Sequence, residues 1–263
     1  GQLAMFQTEA AAIPDSRSKH DARLVIVDEA HCNKTGFAES VLKEHNAEGA
    51  QVVGLTATPV GISHLYDEMA TFAYNSDLRR VGGIVLADSF APSEFDLSDV
   101  RRVAPGGDFS QAAQTGKVMV QQVVGNIVGH FLQINPDMKP SLGFAPCVKS
   151  AQWFVDQFCL RGIPAASIDG ENVYWGNRHL LTGEPELVRS TQKEREKVFE
   201  ASRTGKIKII WNRFVMREGI DLPYLEHGVF ACAFGAPESW VQAVGRLLRS
   251  DGNRFSKVTI QDH

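Results

Sequence analysis

Leu24-Val25-Ile26-Val27-Asp28-Glu29-Ala30-His31 sets a short aliphatic run directly ahead of two carboxylates. A run so short, apolar and largely β-branched predicts a buried parallel strand. Open α/β sheets bind their ligands outside the carboxyl ends of such strands, so Asp28 and Glu29 stand where chemistry is expected. The same pattern continues outward. Residues 37–44 have helical spacing, 52–55 are a second strand, 65–74 a second helical stretch and 84–86 a third strand. Residues 88–107 are richer in Pro, Gly, Ser and Asp and lack helical periodicity, which predicts an extended or looping segment. Helical spacing returns over 118–134 and ends at Asn135-Pro136, the expected break between a first domain, 1–136, and a second, 137–263.

From Leu142 a second alternating series begins, with strands at 142–145, 165–168 and 207–211 and helices at 150–161 and 192–203. It continues through 228–233, 239–248 and 257–260. The fold class is therefore α/β, with two parallel-sheet domains of which the second is nearly complete and the first resembles the later part of one. The connection at 171–190 is long for such a fold.

With 263 residues and 43% hydrophobic content, the chain can bury a sizeable core. No apolar run approaches the roughly 18 residues that cross a membrane, and the first twelve residues lack a charged start followed by an apolar stretch. A membrane partner is thus not expected, and the cytoplasm is the expected location, with the nucleus as the alternative. Cys32, Cys147, Cys159 and Cys232 are scattered without a Cys-x-x-Cys pair and are expected to be small buried or half-buried thiols. The eight histidines are unclustered in sequence; apart from His31, each is expected on the surface or as a satisfied core residue. Net charge is −4, which excludes binding of nucleic acid by bulk charge alone. The span from Arg189 to Arg217, however, holds nine basic and three acidic residues. Two readings of it stay open: a solvated helix face of Glu/Lys pairs, or a patch that tracks phosphates.

The chemistry follows from residue type and place. A carboxylate at a strand exit suits Mg²⁺ held through water, which assigns Asp28, and its neighbour Glu29 is placed to orient and deprotonate an attacking water. The alternative is a simple helix cap. Thr56-Ala57-Thr58-Pro59 follows the next apolar strand, so Thr56 and Thr58 can relay the state of a nucleotide by hydrogen bonds; in isolation they would be a Thr/Pro turn. Gln242, Arg246 and Arg249 are spaced i, i+4 and i+7, which on one helix gives a single face able to reach phosphate oxygens. Gly245 within that helix is disfavoured unless something approaches it closely. In Glu218-Gly219-Ile220-Asp221, Gly219 suits a tight turn and Asp221 a ribose hydroxyl or an arginine of the last motif.

In this order, Asp-Glu-Ala-His, Thr-Ala-Thr, Glu-Gly-Ile-Asp and Gln-x-x-Gly-Arg-x-x-Arg resemble motifs II, III, V and VI of superfamily 2 helicases of the DEAH type. Gly162-Ile163-Pro164, then Ile168-Asp169-Gly170-Glu171, Asn212 and the closing Ile260-Gln261-Asp262-His263 resemble the XPB/RadD-like group within it. The resemblance implies two RecA-like domains, ATP and Mg²⁺ as cofactors, and a nucleic acid, DNA ahead of RNA, as partner. It implies catalysis by Asp28, Glu29, Gln242, Arg246 and Arg249, with nucleotide contacts from Gly219 and Asp221. His31, Thr56 and Thr58 would couple hydrolysis to nucleic acid, and Asn212 and the segment beginning at Phe144 would approach its backbone. Phe6-Gln7-Thr8 would be the remnant of an earlier motif.

One departure stands out. No Gly-x-x-x-x-Gly-Lys-Ser/Thr phosphate loop occurs in the 263 residues. The expectation is a fragment of an ATP-dependent helicase or translocase, its first domain truncated at the N-terminal side and inactive alone. Two other classes are consistent with the motifs: the motor subunit of a restriction enzyme, and an ATPase-dead nucleic-acid-binding or interaction module.

Overall fold

The computed structural model describes residues 22–32, 36–91, 110–176, 185–213, 221–250 and 257–263. Its contacts divide the chain into two units, Gly1–Phe72 and Ala73–His263.

In the first unit, β1 (Leu24–Val27) and β2 (Gln51–Gly54) run parallel, from Leu24 opposite Gln51 to Val27 opposite Gly54. They are joined through α1 (Gly36–Ala47), after which the chain turns at Gly49 with a φ of +87°, a left-handed position that glycine takes without strain. The two-residue period of a strand decides what is buried. Val25 and Val27 point toward α1 and share a small core with Ala30, Leu42, Val52, Ile62 and Tyr66. Leu24 and Ile26 are 52% and 60% exposed, so among the described residues β1 is covered on one face only, not on both as a buried parallel strand would be. Gly54 is required by packing, since a Cβ there would lie 2.5 Å from the Tyr66 ring. The helix expected over 65–74 is absent. Leu65 closes a turn onto Ile62, Met69, Phe72 and Tyr74 are exposed, and the helix starts only at α2 (Asn75–Arg80). Asp77 sets that start by accepting the Tyr74 N–H at 3.2 Å, a local bond that the apolar stretch before it lacks.

The second unit is built on one eight-stranded sheet. Its strands are β3 (Leu86–Phe90), β4 (Ser141–Phe144), β5 (Ala165–Ile168), β6 (Asn172–Trp175), β7 (Glu186–Arg189), β8 (Ile209–Asn212), β9 (His227–Phe230) and β10 (Lys257–Asp262), in the order β3-β10-β9-β4-β8-β5-β6-β7. Pairing is parallel from β3 to β5 and antiparallel at β6 and β7. Besides α2, which already lies in this unit, the helices are α3 (Gln111–Val118), α4 (Gln121–Ile134), α5 (Val148–Cys159), α6 (Gln192–Arg203) and α7 (Pro237–Leu247). Alternation along β8 sorts them. Ile209 and Trp211 face α4 and α5, with Phe131, Phe154 and Phe158, while Ile210 faces α6 and α7, with Val198, Val244 and Leu247. Both faces are covered, as a parallel sheet requires. Trp211 stacks on Phe154 at 4.3 Å and lies against Gly143, where a Cβ would meet its ring at 2.5 Å.

β3 pairs with β10 over five residues and α4 is tied to β10 by the Gln261 amide on Ile127 O at 2.9 Å, so both elements belong to the second unit. Asn135 does end α4, but its side chain bonds Lys139 N–H and O and Ser141 Oγ, leading directly into β4. The stretch from Asp88, expected to be extended or looping, opens as strand up to Phe90; residues 92–109 lie outside the described set. The long 171–190 connection holds β6 and β7, which extend the sheet, with 177–184 not described. Asp169 turns the chain into that extension by accepting the N–H groups of Glu171 and Asn172 at 2.7 and 2.8 Å.

Candidate functional site

At the carboxyl end of β1, Asp28 Oδ1 accepts the N–H of Glu29 at 2.9 Å, and Glu29 adopts a φ of +46°, a left-handed conformation uncommon outside glycine. Strain of this kind collects at functional sites. The next residue anchors the turn: Ala30 is fully buried and donates its N–H to Leu55 O at 3.0 Å. His31 follows in a 3-10 turn (Ala30–Cys32) and is 5% exposed. Its Nδ1 shares a hydrogen bond with Thr56 Oγ1 at 2.8 Å and lies 3.5 Å from Glu29 Oε2. Thr56 Oγ1 in turn accepts the N–H of Thr58 at 3.0 Å, and the buried Thr58 hydroxyl finds no protein partner among the described residues. The fold therefore joins His31, Thr56 and Thr58 in one hydrogen-bonded series with the Glu29 carboxylate at ion-pair distance from its first member, although the threonines stand 25 or more residues along the chain from His31.

In the second unit, α7 presents Gln242 and Arg246 one turn apart, both half-buried. Arg249 lies beyond the end of the helix, where it bridges to Ile84, so the expected single helical face of three residues is reduced to two. It reaches Asp221 at 3.3 Å, the arginine partner named among the expectations for that carboxylate. Both side chains are largely exposed, so the pair contributes little to stability. α7 lies close to the sheet because Gly228 has no side chain where Leu247 packs. Gly245 is different: nothing lies within 4 Å of where its Cβ would be, so no packing among the described residues demands a glycine there. Gly219 lies outside the described residues.

Phe144 and Asn212, expected to approach a nucleic-acid backbone, lie inside the second unit. Both are at carboxyl ends of central strands, yet both are 0% exposed. The Phe144 ring stacks on Phe230 at 4.8 Å, and the Asn212 amide donates to Gly143 O at 2.8 Å, bracing β8 against β4. Core packing holds both side chains inward. Along α6, Lys197 pairs with Glu194 and Arg203 with Glu200, which is the Glu/Lys-paired face that was one of the two readings of the basic span.

Sequence patterns had not singled out α3. Its Gln114 accepts the N–H of Ala233 at 2.9 Å and its Thr115 hydroxyl donates to Cys147 Sγ at 3.2 Å, so it closes over the carboxyl ends of β9 and β4. Two adjacent polar side chains in an alanine-rich helical stretch were the available signal. Cys147 caps α5, accepting the Ser150 N–H at 3.3 Å. Burial pushes its thiol up, but hydrogen bonds from Ser150 and Thr115 outweigh this and hold it below the usual thiol range. Cys147 and Cys159 are half-buried free thiols and Cys232 a buried one, as expected.

Residues 130–251 match the family described as helicase conserved C-terminal domain. A curated relative, the "51.5 kDa protein" of Lactococcus phage (isolate 7-9), is 25% identical over 207 residues, which is 76% of this chain and 40% of the relative. The chain thus spans less than half the length of that relative. Among solved structures, the ATP-dependent Type ISP restriction-modification enzyme LlaBIII bound to DNA superposes with a TM-score of 0.61 at 15% identity, over 98% of this chain and 19% of that one. S. cerevisiae Dbp5 bound to RNA and ADP BeF3 gives 0.52 at 12% identity, over 99% and 59%. These likenesses show the fold: the mainly parallel sheet is of the RecA-like kind found in helicase domains. The described part of the first unit, with two strands, does not make a second full domain of that kind. Among the described residues no helix is long and apolar enough to cross a membrane.

Proposed function

We propose that the chain is part of an ATP-dependent nucleic-acid helicase or translocase of the DEAH type, with DNA ahead of RNA as its track. The observation that carries this reading is the series from Glu29 through His31 and Thr56 to Thr58 N–H. It connects the residue that would activate water to the loop after the next strand, which is what coupling hydrolysis to movement requires. Magnesium, when bound with ATP, would neutralise charge on the β and γ phosphates. Asp28 would hold it through water, a fitting donor for a hard cation because its carboxylate is already oriented by the Glu29 N–H. Glu29 would take the proton of the attacking water at its carboxylate. Gln242 and Arg246 would meet the phosphates, with Arg249, positioned by Asp221, beside them, and Gly219 and Asp221 would complete the nucleotide contacts.

Because Phe144 and Asn212 are buried, the nucleic-acid backbone would be met by the exposed residues Val148 and Lys149 at the start of α5. Binding through phosphates has a clear signature. The affinity of the chain for fluorescently labelled single-stranded DNA is expected to fall by about tenfold or more between roughly 50 and 200 mM salt, with little dependence on sequence. Binding that is insensitive to salt would contradict the reading. Since the 263 residues contain no phosphate loop, the chain alone is expected to turn over ATP negligibly; magnesium-dependent turnover abolished by Glu29→Gln in the isolated chain would overturn that expectation.

A further inference from the structure

Helix α3 is poorly equipped to hold itself. It has eight residues, no side chain caps its start at Ser110, and Gly116 sits in its interior where a Cβ would meet nothing within 4 Å. A helix this short is marginal in water, and a glycine inside it lowers its population about fivefold relative to alanine. Two of its described side chains are buried: Val118, in the core with Ile127 and Ala145, and Gln114, which is 5% exposed. Its docking draws on this small contact and on hydrogen bonds from two adjacent residues, Gln114 and Thr115.

Those two residues reach different walls of the proposed site. Gln114 Oε1 accepts the N–H of Ala233 at 2.9 Å, in the turn that leads from β9 into α7, the helix of Gln242 and Arg246. Thr115 Oγ1 donates to Cys147 Sγ at 3.2 Å, and Cys147 is the N-cap of α5, whose first residues are the exposed Val148 and Lys149. Because β4 and β9 are direct neighbours in the sheet, one turn of α3 spans both contacts.

We propose that α3 couples the two walls: it exchanges between a docked and an undocked state, and the docked state fixes both the cap of α5 and the entry to α7, with Gln114 and Thr115 as positioning residues. The proposal rests on the proposed contact of a nucleic-acid backbone with the start of α5. A phosphate beside Lys149 needs the first turn of α5 formed, and the Thr115 bond to its cap is made only when α3 is docked. Nucleic acid therefore binds the docked state more tightly and draws α3 into it, since a ligand shifts an equilibrium toward the state it prefers. In that state Gln114 holds Ala233 and, through it, the segment leading to Gln242 and Arg246.

Amide hydrogen exchange of the 263-residue chain, with and without a saturating oligothymidylate, reads the docking directly, because the Ala233 N–H exchanges when its bond to Gln114 opens. The oligonucleotide is expected to slow exchange at Ala233 by about fivefold or more beyond any change at the β8 amides, the low end of couplings between protein sites. Thr115→Val, which keeps the shape and removes the donor, should abolish that slowing while the chain still binds the oligonucleotide. Gly116→Ala should slow Ala233 exchange about fivefold with no nucleic acid present. A helix that served only as packing would respond to Gly116→Ala but not to the oligonucleotide. Should Thr115→Val fail to fold, the slowing in the wild type decides. Slowing that is absent, or that persists in Thr115→Val, overturns the coupling; a chain that does not bind the oligonucleotide at all overturns the nucleic-acid reading and the coupling with it.

Discussion

Arg246→Ala, in a polypeptide that joins this chain to a phosphate loop, is expected to lower magnesium-dependent ATP turnover by about 10³-fold or more. The reason is placement. Arg246 is half-buried in the last turn of α7, one turn after Gln242, and the helix is seated firmly by Leu247 against Gly228. A guanidinium so held can meet charge that develops on the transferred phosphoryl group without first being ordered. Arg246→Lys should recover little, because an ammonium lacks the planar fork that binds two oxygens at once. Arg249→Ala should cost less than Arg246→Ala, since Arg249 sits outside the helix in an exposed pair with Asp221. Turnover measured at saturating nucleotide separates these outcomes from weakened binding. Equal rates for wild type and Arg246→Ala would remove this residue from the mechanism.

The second large effect concerns stability. Trp211→Ala is expected to cost about 3 to 5 kcal/mol, the range for truncating a fully buried aromatic residue. Trp211 is 0% exposed at the centre of the sheet, stacked on Phe154 and edge-on to Phe158 at 5.4 Å, with its ring over Gly143. Nothing nearby can collapse into the space, because β4, β5 and α5 are fixed by their own pairing and packing. Trp211→Phe should cost distinctly less, since the indole N–H it removes has no acceptor among the described residues. Denaturant unfolding followed by circular dichroism measures both, and a loss below about 1 kcal/mol for Trp211→Ala would show that the core repacks.

Much of the second unit was legible because strand and helix periods differ and because its strands are fully apolar: residues 142–145, 165–168 and 207–211 are strand in sequence and in structure, shifted by a residue or two. What the periods do not carry is partnership. That β3 joins β10 and that α3 and α4 belong to this sheet depends on bonds such as Gln261 to Ile127 O, which leave no local pattern. The hairpin of β6 and β7 was hidden for a similar reason, its strands being short and its turn set by one carboxylate, Asp169. At the site, residue types at strand exits located Asp28, Glu29, His31, Thr56 and Thr58 as a connected group. The burial of Phe144 and Asn212 was not legible, because a position at a strand end says nothing about which way a side chain points, and both point inward.

The most direct test of the account is ATP turnover in a polypeptide that joins this chain to a phosphate loop, measured with and without single-stranded DNA, for wild type and Glu29→Gln. The account predicts turnover that DNA stimulates and that Glu29→Gln reduces by about 10² to 10⁴-fold with nucleotide binding retained. Turnover that ignores DNA, or that survives Glu29→Gln, would contradict it.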